Sequence, residues 1–267
     1  MDVRSAFACH TTPCTREIEP ADHFVLPFLE QVQECLRTAI EQRMSAALIA
    51  PAGTGKTALV RRVIADLPEA RYRVHYVKVC DLGKRDLCRE IARVTGLPPA
   101  GSYPSLFQKL QDRFESGFSD EGVRPVLFLD EAHDLRPNVL GMMRVLTNFR
   151  MDSRLVLSVV LVGQPPLRKM LEADQHVATA QRLACTVTLR LLTRDETQAY
   201  VEHRLRVAGM ANSPFDQGAM DTIYELSRGN LRAIDGLALG GLELAAQANL
   251  RSVGSNQILA ARKIRWP

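Results

Sequence analysis

The chain runs to 267 residues with 46% apolar and 24% charged side chains, ordinary values for one large soluble domain or a core domain with a small companion. Its longest strongly apolar stretch, Leu155 to Gly163, is too short to cross a bilayer and already contains Ser158, so no membrane partner is expected. The first twenty-five residues carry charges and Pro or Cys interruptions instead of an apolar signal core, so no secretion signal is expected. The net charge of +4 sits in one place: residues 251–267 carry Arg251, Arg262, Lys263 and Arg265 without an acid, which leaves the rest of the chain neutral.

Residues 1–26 read as irregular, broken by Pro13 and Pro20. They hold Cys9-His10 and Cys14, which could bind zinc only with ligands from elsewhere. The six cysteines, none in a C-x-x-C pair, fit a reduced, cytoplasmic chain. From Pro27 the residues Phe28, Leu29, Val32, Cys35, Leu36, Ala39 and Ile40 recur every three or four positions, an amphipathic helix with proline in its first turn. Ala46 to Ala50 reads as a short buried strand. Leu59, Val60, Val63, Ile64 and Leu67 then form a helical stripe that Pro68 stops.

Between that strand and that helix stands Pro51-Ala52-Gly53-Thr54-Gly55-Lys56-Thr57-Ala58. Backbone N–H groups of such a Gly-rich turn face a phosphate, and the helix that follows presents its positive dipole end to the same charge. Lys56 would reach the β- and γ-phosphates and the Thr57 hydroxyl would ligate Mg²⁺, so ATP and Mg²⁺ are the expected cofactors. Ala50 stands where this eight-residue pattern has its first glycine, a replacement that requires a negative φ.

Arg73 to Val79 is a second strand, and Asp81 is placed to cap a helix with Leu82, Leu87, Ile91 and Val94 on its apolar face. Another helix covers Ser105 to Phe114. Val126 to Leu129 is a continuous apolar run ending in Asp130-Glu131, a buried parallel strand with carboxylates at the end where open α/β sheets bind ligands. Asp130 can complete a Mg²⁺ shell and Glu131 can polarise an attacking water; two acids here would otherwise be helix-cap residues. A helix over Asn138 to Phe149 precedes a buried strand from Leu155 to Gly163. Gln164 ends that strand before two prolines, where its amide can bridge the water or a γ-phosphate, or simply open a loop. A helix begins at Leu167, and a strand lies near Thr186 to Leu191.

From Thr193 strand signals stop, and helices are expected over Asp195–Val207, Phe215–Leu226 and Asn230–Ala248. The alternation before that point predicts an α/β fold with a doubly wound parallel sheet. Four regions result: an irregular segment (1–26), a nucleotide-binding α/β domain (27–192), a small all-helical domain (193–250) and a basic tail (251–267).

Taken together, the P-loop, Leu127 to Glu131, Val162-Gly163-Gln164, Gln181-Arg182-Leu183 and Gly229-Asn230-Leu231-Arg232 resemble the AAA+ ATPases. Within these, the likeness is to the ExeA-like group that includes the TniB/TnsC-type transposition regulators, over roughly residues 15–250. The resemblance implies a helical lid after the P-loop domain. It makes Gln164 the first sensor, Arg182 an arginine finger acting in a neighbouring subunit's site, and Arg232 the second sensor; both arginines also suit solvated helix surfaces. A finger in trans implies a homo-oligomer, ring or helical filament. The group further implies a regulator of DNA transposition that assembles on duplex DNA with ATP, recruits or activates a transposase or target-selection protein, and disassembles on hydrolysis. Lys84 and Arg85 are candidate DNA contacts, and equally a solvated helix start. The tail with Trp266 would dock a partner or fold back on the helical domain. Two alternatives remain: a secretion-pathway ATPase, disfavoured by a chain that ends after the helical domain, and a nucleotide switch with little hydrolysis, which Glu131 argues against.

Overall fold

Three uninterrupted apolar runs have no polar face to offer solvent, and they become the interior strands of a five-stranded sheet. The computed structural model describes residues 2–15 and 17–265. In chain order its elements are α1 (Val3–Phe7), α2 (Pro27–Glu41), β1 (Ser45–Ile49), α3 (Lys56–Ala65), β2 (Tyr72–Lys78), α4 (Lys84–Val94), α5 (Tyr103–Asp120) and β3 (Arg124–Asp130). There follow α6 (Pro137–Leu146), β4 (Ser158–Gly163), α7 (Pro166–Glu172), α8 (Val177–Ala180) and β5 (Leu183–Thr188), then α9 (Arg194–Val207), α10 (Gln217–Ser227), α11 (Leu231–Gln247) and α12 (Ser255–Arg265). The chain gathers into two compact units. One holds residues 27–52 and 56–189; the other holds the N-terminal stretch through Leu26, Gly53–Gly55 and the chain from Arg190 onward.

In the α/β unit the strands run parallel in the order β2-β3-β4-β1-β5. Residues alternate between the two faces of the sheet. Leu127, Leu129, Val159 and Leu161 pack with Leu87, Ile91, Leu110 and Phe114 on one side. Val126, Phe128, Val160 and Val162 pack with Leu36, Ile40, Val60 and Val63 on the other. Each such side chain, fully buried, is worth about 1.5–3 kcal/mol, so both helical layers are held by the sheet. β5, at the edge, alternates half-buried and exposed.

The helical unit is capped by its own sequence. Thr193 Oγ1 accepts from the Glu196 N–H while the Glu196 carboxylate accepts from the Thr193 N–H, a capping box that opens α9. Asp216 and Asn230 cap α10 and α11 through a single bond each, accepting from the Ala219 and Ala233 N–H groups. Its centre is polar: the buried Arg204 guanidinium donates to Tyr200 Oη at 2.8 Å, to Thr15 O at 2.5 Å and to the Asp235 carboxylate at 3.4 Å. Burial pushes the Asp235 carboxyl up to about 6 against the opposing pull of Arg204.

Several expectations need correction. The irregular segment 1–26 contains α1, with Val3, Cys9 and Cys14 buried, and Arg204 ties Thr15 to the helices. Residues 255–265 of the basic tail fold as α12, with Ile258 and Ala261 buried on one side and Ile258 lying against Gly241 of α11. Trp266 lies outside the described residues. Asp81 does not cap α4. Gly83 takes that position, and the Asp81 carboxylate accepts from Arg136 at 2.9 and 3.1 Å. β5 ends at Thr188, earlier than expected. Among the described residues no cluster of three or more His, Cys, Asp or Glu could hold a metal ion, and no helix is long and apolar enough to cross a membrane.

Asp235→Ala would leave the Arg204 charge buried without its counter-ion, which costs about 3 kcal/mol. The denaturant midpoint should fall accordingly; an unchanged midpoint would show that the neutral acceptors around Arg204 suffice.

Candidate functional site

Because the strands are parallel, their carboxyl ends meet along one edge of the sheet. Ile49 lies opposite Gly163 and Leu161 opposite Leu129, with β4 between β1 and β3. The three segments that leave those strands therefore emerge side by side: the Gly-rich turn, Gln164, and Asp130 with Glu131.

The turn begins without strain at Ala50, whose φ is not positive and whose N–H donates to Gly163 O at 3.0 Å. The missing glycine is thus tolerated. Lys56 opens α3, is buried, and its Nζ donates to the carbonyls of Ala50 and Pro51 at 2.9 Å each. Pro51, Ala52 and Thr57 are exposed, Thr54 is buried and Ala58 half-buried. Gly53 (φ 77°) and Gly55 (φ 90°) occupy the left-handed region. Within the helical unit, the Arg232 N–H donates to Gly53 O at 3.1 Å, and a Cβ at Gly53 would collide with the Asn230 amide.

Asp130, 4% exposed, closes β3. Its Oδ1 accepts from the Glu131 N–H at 2.9 Å and its Oδ2 from the Tyr76 hydroxyl at 2.5 Å. Burial, reinforced by that bond, pushes the Tyr76 phenol up, so it remains a donor. Each carboxylate oxygen has acceptor capacity beyond its one named donor, and with the Thr57 hydroxyl it offers the hard oxygen set that Mg²⁺ takes. Glu131 sits at φ 55°, ψ 36°, left-handed for a non-glycine residue, a conformation that costs on the order of 1 kcal/mol. That strain re-aims its side chain away from the strand direction, toward Gln164: Gln164 Nε2 lies 3.5 Å from Glu131 Oε2.

Two residues in this set carried no sequence signal of their own. Tyr76 lies on a strand whose alternation marks it as merely apolar, and His133 follows the acids by two positions. His133 Nε2 is 2.9 Å from Gln164 Nε2, and its Nδ1 is 3.5 Å from Glu131 Oε2.

The other expected residues lie on elements outside β1, β3 and β4. Arg182, between α8 and β5, holds Asp152 through two bonds of 2.6 and 2.5 Å, which raises the guanidinium and lowers the carboxyl. Asp152 ends a run of three left-handed residues, Arg150, Met151 and Asp152. Arg232 is exposed in the first turn of α11. Lys84 and Arg85 occupy the first turn of α4, with Arg85 Nε donating to Gly101 O at 3.2 Å. A surface groove of about 580 Å³ between α2 and β5, lined by Glu34, Cys35 and Cys185 among others, includes none of the expected site residues.

A family model described as AAA domain matches residues 38–171. The chain is 35% identical over 185 residues to the General secretion pathway protein A of Aeromonas hydrophila, a match covering 68% of this chain and 34% of that protein. It thus spans about a third of that relative's length. Among solved structures it is similar to Cdc6p from Pyrobaculum aerophilum (TM-score 0.73, 17% identity, 99% of this chain and 71% of that one). It is also similar to the Aeropyrum pernix ORC1 protein in complex with DNA (TM-score 0.66, 20% identity, 98% and 69%). The Thermotoga maritima RuvB Holliday junction branch migration motor follows (TM-score 0.60, 18% identity, 88% and 68%). At these identities the solved structures speak for the fold alone.

Proposed function

Because this chain belongs to the AAA-domain family, we propose that it is a Mg²⁺-dependent ATPase that assembles on duplex DNA in its ATP state and regulates a transposase. The observation that carries the ATPase reading is the alignment of the β1, β4 and β3 carboxyl ends, which gathers Lys56, Gln164, Asp130 and Glu131 on one edge. Lys56 would exchange its two carbonyl partners for phosphate oxygens, and the turn's N–H groups would receive the β-phosphate. Thr57 and Asp130 would hold Mg²⁺, which when bound neutralises charge on the phosphate oxygens. Glu131 acts as general base toward the attacking water and Gln164 orients it. Arg182 serves a neighbouring chain's site, for which it must leave Asp152; that pair is partly exposed, with solvent screening the ion pair, so a phosphate can compete for the guanidinium. Arg232 is the proposed second sensor.

Three observations support DNA as the partner. Lys84 and Arg85 place two cations in the first turn of α4, the wrong sign for its dipole. The exposed Arg262 and Lys263 on α12 add a second basic face. A protein of the same fold, ORC1, is solved in complex with DNA. Such contacts would be backbone-directed, sequence-tolerant and salt-sensitive. The transposase partner rests on the motif likeness to the TniB/TnsC-type regulators. A second reading, a secretion-pathway ATPase, is favoured by the 35% identity to General secretion pathway protein A.

Glu131→Gln should still bind ATP while turnover falls by about 10²–10⁴-fold; undiminished hydrolysis would remove Glu131 from the base role. With a slowly hydrolysed ATP analogue, the chain should co-sediment with nonspecific duplex DNA. An active ATPase that neither assembles on DNA nor responds to it would favour the secretion reading instead.

A further inference from the structure

Resting on the ATPase reading, we infer that His133 is a positioning residue of the hydrolytic site, fixing which end of the Gln164 amide faces the attacking water. The ring is 13% exposed and lies between the two residues that would handle that water. Gln164 Nε2 approaches His133 Nε2 to 2.9 Å and Glu131 Oε2 to 3.5 Å. His133 Nδ1 lies 3.5 Å from the same Glu131 oxygen and 3.4 Å from the Gln164 backbone nitrogen.

An amide nitrogen only donates, so a 2.9 Å approach between two nitrogens is a hydrogen bond only if the imidazole nitrogen accepts. The ring proton then sits on Nδ1, facing the Glu131 carboxylate, and both side-chain N–H groups of Gln164 are aimed at acceptors, His133 Nε2 and Glu131 Oε2; the cost is the 3.4 Å bond that Nδ1 would otherwise accept from the Gln164 backbone N–H. The opposite arrangement keeps the bond from the Gln164 backbone N–H to Nδ1. It also turns the amide oxygen and the bare Nδ1 toward the Glu131 carboxylate, two acceptors facing a third. One long bond retained does not offset two repulsive approaches. His133 therefore commits the Gln164 nitrogen and leaves Oε1 as the end that can accept a hydrogen from the water, while Glu131 takes the proton that the attack releases. His133 Nε2 also lies 3.7 Å from Asp134 Oδ1, too far for a hydrogen bond and no competitor for the amide.

Without the ring acceptor the amide can turn over, and misorientation of a water-positioning group costs about tenfold to a hundredfold in rate. His133→Ala should lower kcat by that factor with ATP affinity unchanged. In a Gln164→Ala background it should cost little more, since its effect runs through that amide. His133→Gln carries an acceptor to the same reach and should recover most of the turnover, which a purely structural role would not predict. An unchanged kcat, equal losses in both backgrounds, or a fall in ATP affinity parallel to kcat would overturn the inference. Should His133→Ala not fold, the His133→Gln variant decides: turnover as low as that of Gln164→Ala would equally overturn it. Glu131→Gln separates the premises: normal turnover there overturns the hydrolytic site itself, whereas arrested turnover beside an indifferent His133→Ala overturns only the role of His133.

Discussion

The register of three parallel strands is the constraint on which the rest depends. Residues pair so that β1, β4 and β3 end within a residue or two of each other, and the Gly-rich turn, Gln164 and Glu131 follow from those ends. A slip of one residue would turn every side chain of a strand to the opposite face. The apolar content of both faces prevents that: Leu127 and Leu129 belong to one core layer, Val126 and Phe128 to the other, and all four are buried. Core packing is thus what aligns the polar edge.

That edge departs from good local structure at the proposed site. Glu131 takes a left-handed conformation, Lys56 is buried on two carbonyls, and Asp130 is buried beneath a tyrosine hydroxyl. Each would be unfavourable alone, and each is compensated by a specific donor or acceptor nearby. The polar network around Glu131, Gln164 and His133 is directional in the proposed arrangement, in which both side-chain N–H groups of Gln164 meet acceptors. Arg182 shows the other side of this economy of partners: where it has no site of its own, it is satisfied by Asp152.

Much of this was legible in the sequence because it rests on period and punctuation. Continuous apolar runs marked β3 and β4, Pro68 stopped α3, and Gly53 with Gly55 marked the turn, so the fold class and the P-loop could be read directly. What escaped reading depends on pairing across the fold. Tyr76 meets Asp130 only because β2 lies beside β3, and His133 meets Gln164 only because β4 does. The α12 helix was hidden by its charges, since two buried residues, Ile258 and Ala261, are a thin stripe beside Arg262 and Lys263. Asp81 had the right chemistry for a cap and the wrong partner, because Arg136 approaches from a segment far along the chain.

The central claim is that the sheet edge of one chain is an ATPase site completed by another. Turnover per chain, measured against chain concentration with and without duplex DNA, tests it most directly. The account predicts a rate per chain that rises with concentration and rises earlier when DNA is present. A rate per chain that is constant from dilute to concentrated protein, with or without DNA, would contradict it.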